Sequence, residues 1–130
     1  MLAFRIAVPL LLCLPLVAGC AKKPEEKLKG KWVGERIENV TFEQILTATG
    51  WVRGMTMELD GKTMTVSVPN EAPRSGTYAV ERAEKDALVL NVPRPDGFGT
   101  DQMKLSFVDD NTLRWDIGES RDIVLVRAKQ

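Results

Sequence analysis

From Met55 to Arg127 the chain repeats one pattern, an apolar residue followed by a polar one, broken every few residues by a turn. Met55, Met57 and Leu59 alternate with Thr56 and Glu58. After Asp60-Gly61, Met64, Val66 and Val68 alternate with Thr63, Thr65 and Ser67. Tyr78 and Val80 continue the series, then Leu88, Leu90 and Val92, then Met103, Leu105 and Phe107, then Leu113, Trp115 and Ile117. The stretch from Ile123 to Arg127 closes it. Successive side chains of an extended backbone point to opposite faces, so a period of two makes one face dry and the other wet. Asp-Gly between two alternating segments is a hairpin signal. Residues 69–75, 84–86, 93–100, 109–111 and 118–122 are rich in the Gly, Pro, Asp and Asn that turns use.

Two further elements precede this run. Gly30 to Glu38 reads as a first strand, with Trp32 and Val33 as its bulk. In residues 41–48, Thr41 followed by Gln44 fits a capping box, Phe42, Ile45 and Leu46 share one helical face, and Gly50 is placed to end the turn. The expectation is a mainly β chain: a small antiparallel up-and-down barrel of about eight short strands, with one short helix after the first. Short connections favour antiparallel neighbours, and closure removes exposed edges. A small two-sheet sandwich satisfies the same alternation.

The first residues carry a different signal. Arg5 is followed by an apolar stretch from Ile6 to Leu16, then by Val17, Ala18 and Gly19 before Cys20. This is the three-part build of a secretory signal peptide. Pro9 and Pro15 interrupt the apolar run, which is also shorter than the roughly 20 residues of a spanning helix. Leu16-Val17-Ala18-Gly19-Cys20 resembles the lipobox of bacterial lipoproteins. The resemblance implies cleavage before Cys20, a thioether-linked diacylglycerol on its sulfur and an acylated amine, hence a membrane anchor. Ala21 stands where Asp would favour inner-membrane retention, so the resemblance also implies the outer membrane and its periplasmic face. The expected organisation is residues 1–19 as signal peptide, 20–29 as lipidated cysteine and flexible charged tether, and 30–130 as the barrel domain.

Within that domain, Gly30-Lys31-Trp32 matches the Gly-x-Trp that opens the first strand of lipocalin-like barrels, and Arg127 falls on the last strand, where those proteins place an arginine over the tryptophan. The resemblance implies a lipocalin-like barrel closed at its base by a cation–π contact between Arg127 and Trp32. The helix after the first strand and the lack of a disulfide depart from that family and favour a smaller, closed barrel.

Composition narrows the chemistry. The chain has 18 basic and 18 acidic side chains, which leaves no basic footprint for nucleic acid. It has no histidine, and its two cysteines are Cys13, inside the expected signal, and Cys20, the expected lipid site. The commonest acid–base group, the commonest metal ligand and a free thiol are therefore missing from the expected mature chain. No Gly-x-Ser-x-Gly elbow is present, and Asp109-Asp110-Asn111 reads as a turn rather than a carboxylate pair or calcium loop. The expectation is a non-catalytic chain without cofactor or metal. Trp32, Met57, Met64, Tyr78, Met103 and Trp115, all on the inward set, are the candidates for contact with a small apolar ligand. Phe98, between two glycines, and Trp51, in the Trp51-Val52-Arg53 segment, are the candidates for contact with an envelope protein.

Overall fold

In chain order the elements are α1 (Pro24–Leu28), β1 (Gly30–Ile37), α2 (Ile45–Arg53), β2 (Thr56–Leu59), β3 (Thr63–Ser67), β4 (Arg74–Thr77), β5 (Ala79–Ala83), β6 (Ala87–Pro93), β7 (Thr100–Asp109), β8 (Thr112–Gly118) and β9 (Arg121–Arg127). The computed structural model describes residues 23–94 and 97–129. The expected signal peptide, the lipobox-like stretch and Cys20 lie outside these residues.

All strand pairs are antiparallel, and the order is β4-β3-β2-β1-β9-β8-β7-β6-β5. The wall is a nearly closed barrel. Nine strands appear where the alternation predicts eight because the segment around Tyr78 is divided. β4 and β5 are separated by Tyr78 alone and run in the same direction around the barrel. They are two halves of one bent strand, the first pairing with β3 and the second with β6. Its alternation is unbroken: Gly76 lies opposite Met64, Tyr78 is buried, and Val80 lies opposite Leu90.

Directly opposed residues share a face, so the register carries the dry face around the wall. Trp32 opposes Met57, Met57 opposes Val66, Leu59 opposes Met64, Leu90 opposes Met103, and Leu113 opposes Leu125. Trp32, Met57, Leu59, Leu88, Leu90, Leu105, Leu113 and Leu125 are essentially without solvent contact and form one core. The wet face carries charge instead, such as Arg114 held between Glu38 and Asp122.

Each end has its own cover. At the base, residues expected to be a flexible tether are folded: α1 starts on Pro24 at its first helical position and drives Leu28 fully into the core. A proline there loses no helical hydrogen bond, and Leu28 supplies the apolar contact that the charged stretch otherwise lacks. At the other end α2 lies across β1. Gly34 occupies an inward position, and Val52, fully buried, sits directly above it. A Cβ on Gly34 would collide with the Val52 carbonyl.

The helix itself differs from the capping-box expectation. It begins at Ile45, its N-terminal residue Gln44 makes no side-chain cap, and it runs through Gly50 to Arg53. Trp51-Val52-Arg53 is therefore inside the helix rather than after it. Packing of Val52 over Gly34, and not the Phe42 face, decides its position. Phe42 and Leu46 are left 92% and 86% exposed.

Candidate functional site: a seam in the barrel wall

A strand that changes partners half-way leaves a gap on either side of the bend. Above Tyr78, β4 pairs only with β3, and its other edge faces the end of β6. The gap is a cleft of about 730 Å³ lined by Met64, Val66, residues 74–77, Val92, Pro93 and Arg94. Its floor is the dry face of the barrel, reached through the wall. Gly76 makes this access available: it stands at an inward position, and a Cβ built on it meets nothing within 4 Å. A long side chain there would project into the cleft and take up part of its space.

Charge gathers at the end of the cleft away from α1. Arg74 opposes Val66 and so shares the inward face. Arg94 Nε is 2.9 Å from Asp101 Oδ1, so its charge is already matched. Arg74 has no ion pair among the described residues. It also borders a smaller hollow of about 210 Å³ formed with Trp51, Val66, Val68, Glu71 and Ala72, where Glu71 lines the same space without an ion pair to Arg74 among the described residues.

Below the bend, the matching gap lies between β5 and the β2–β3 turn and is roofed by α1. This hollow of about 550 Å³ is lined mostly by charged side chains, Lys23, Glu25, Glu26, Lys29, Asp60 and Lys62, around Tyr78. Gly61 N–H donates to the Tyr78 hydroxyl at 2.7 Å, and Tyr78 N–H donates to the Lys62 carbonyl at 3.0 Å. Burial raises the Tyr78 pKa above the ordinary tyrosine value. Asp60 Oδ1 accepts from the N–H groups of Thr63 and Lys62 at 2.7 and 2.9 Å, which lowers its pKa. These groups are occupied in holding the turn.

The structure separates the six residues expected to meet a ligand. Trp32, Met57 and Met103 are packed in the core, and Tyr78, buried with them, borders the charged hollow below the bend rather than the cleft. Trp115 is half-buried against the core and lies outside the cleft. Only Met64 lines it. The reason is volume: large inward side chains pack against one another in the core, and the cleft opens beside a wall position that carries only a glycine. Arg74, Gly76 and Val92 complete the site. The sequence signal for Gly76 and Arg74 is their parity with Tyr78 and Val80, which puts both on the dry face.

The two residues expected to meet a partner are at the surface. Phe98 is 81% exposed, and Trp51 is 46% exposed on α2, beside an open groove of about 550 Å³ that includes Ile37, Val40 and Ala48. Gly30 and Arg127 meet at the base. A Cβ on Gly30 would lie 3.0 Å from Arg127 Nη1, and the Arg127 guanidinium lies over Trp32.

Among the described residues no cluster of three or more His, Cys, Asp or Glu side chains has the spacing to hold a metal ion. Nor, among them, is any helix long and apolar enough to cross a membrane. Comparison with protein-family models, curated proteins and solved structures finds no significant match to this chain.

Proposed function

We propose that this chain is a lipid-anchored protein of the bacterial envelope whose filled, non-catalytic barrel holds a small apolar molecule in the seam between β4 and β6. The anchor rests on the lipobox ending at Cys20 and on Ala21, which favours the periplasmic face of the outer membrane. The ligand reading rests on one observation: a cleft of about 730 Å³ reaches the apolar Met64, Val66 and Val92 through a wall position occupied by Gly76. Small-molecule sites commonly span about 300–1,000 Å³ with mostly apolar linings.

Docking of α1 gives the anchor a geometric consequence. Three residue steps separate Cys20 from Lys23, so the lipid holds the base of the barrel within about 10 Å of the bilayer.

Two experiments test the proposal. Labelled palmitate enters the wild-type protein and not Cys20→Ser; equal labelling of both ends the anchor reading. Native mass spectrometry of protein purified from its host shows a bound small molecule that Gly76→Leu, with an unchanged circular dichroism spectrum, no longer carries. A clean apo mass for the wild type, with no response to apolar dyes, ends the ligand reading.

A second reading, a module that docks an envelope protein, is favoured by the apolar surface that α2 leaves uncovered at Phe42, Leu46 and Trp51. Crosslinking in cells from these positions enriches a specific protein if that reading holds, and none if it does not.

A further inference from the structure

The seam has polarity as well as shape. Its floor is apolar at Met64, Val66 and Val92, and its charge is confined to the end away from α1. Of the two arginines there, Arg94 is matched by Asp101, while Arg74 has no ion pair among the described residues. Arg74 stands two residues before Gly76 on the same face of β4, about 7 Å further along the groove. An unmatched guanidinium beside an apolar trough is an amphiphile-shaped arrangement: the planar fork binds carboxylate or phosphate oxygens, and the trough shelters a chain.

We propose that the cleft takes a single-chain amphiphile with an anionic head, its tail lying past Gly76 onto Met64 and Val66 and its head on Arg74. This rests on the cleft being a ligand site and adds the class of ligand. A carboxylate and a phosphate monoester present the same oxygens to Arg74, so the head is defined as either of these.

The test uses the wild-type lipidated protein in phosphatidylcholine vesicles, with three ten-carbon probes carrying a photoreactive diazirine on the tail: a carboxylate, an alkyl phosphate and an alcohol. Peptide mass spectrometry maps the labelled residues. The expected result is labelling at Met64, Val66 or Val92, with carboxylate or phosphate labelling about fivefold stronger than alcohol labelling at low salt. Arg74→Gln, on an exposed strand, brings the anionic probes down to the level of the alcohol and leaves the alcohol unchanged. Dependence on Arg74 for only one anion supports the proposal and identifies the head. If the alcohol labels the cleft as strongly as both anions and Arg74→Gln changes nothing, the anionic head is overturned while the cleft stands. If no probe labels the cleft in the wild type, the head assignment and the ligand site fall together.

Discussion

The Arg127 guanidinium lies 4.3 Å from the centroid of the Trp32 ring, its direct partner across the β1–β9 ladder. The same guanidinium donates to the carbonyls of Lys27 at 2.7 Å, Lys29 at 3.0 Å and Asp110 at 3.0 Å, while Trp32 Nε1 donates to the Leu28 carbonyl at 2.9 Å. One cation thus ties the end of α1, the β7–β8 turn and the last strand to the buried indole. Lysine keeps the charge but lacks the planar fork. Arg127→Lys is expected to cost about 2 kcal/mol in urea unfolding and to speed amide exchange in α1. A cost below about 0.5 kcal/mol would show that the clasp is decorative.

Leu28 separates a folded α1 from a flexible tether. It is fully buried, whereas Leu46 on α2 is exposed. Leu28→Ala is expected to cost about 2–5 kcal/mol and Leu46→Ala no more than about 0.5 kcal/mol. Equal costs in the two variants would mean that α1 is not part of the domain.

Gly34 sets how α2 sits. Its N–H donates to the Met55 carbonyl at 2.9 Å, and Val52 leaves no room for a side chain. Gly34→Ala is expected to destabilise by about 1–3 kcal/mol through overpacking and to lift α2, changing Trp51 fluorescence. An unchanged midpoint and spectrum would contradict this packing.

The β2–β3 turn gives the fold an acid limit. Asp60 has a lowered pKa because the N–H groups of Thr63 and then Lys62 bond its ionised carboxylate. Its contribution is present above the unfolded-state pKa and is lost as pH falls through the folded-state value. Unfolding measured from pH 6 down to pH 2 should show stability falling at the acid end for the wild type, with a shallower fall in Asp60→Ala. Parallel curves would remove Asp60 from the account.

The β8–β9 turn carries two residues with left-handed backbone, Glu119 at φ 54° and Ser120 at φ 59°. Two-residue hairpins of this kind favour Asn-Gly. Left-handed backbone costs an ordinary residue about 1–2 kcal/mol, partly offset by the entropy glycine loses on folding. Ser120→Gly is therefore expected to raise stability by about 0.5–1 kcal/mol in thermal or urea melts, and a loss would count against the turn geometry.

Local geometry was legible along the chain. Alternation from Met55 to Arg127 marked the strands, Asp60-Gly61 the first hairpin, and the inward set that became the core. These features are legible because pleat direction and turn chemistry depend on neighbours along the chain. Tertiary structure decided what depends on fitting volumes together. It divided one strand at Tyr78 by giving its halves different partners. It drew Leu28 out of an apparently soluble tether because the barrel base had an apolar hole, and it extended α2 past Gly50 because Val52 fits over Gly34. It also moved the candidate site from the large inward side chains to Gly76. Side chains that pack well consume the space a ligand needs, and no single stretch of sequence records how much is left over.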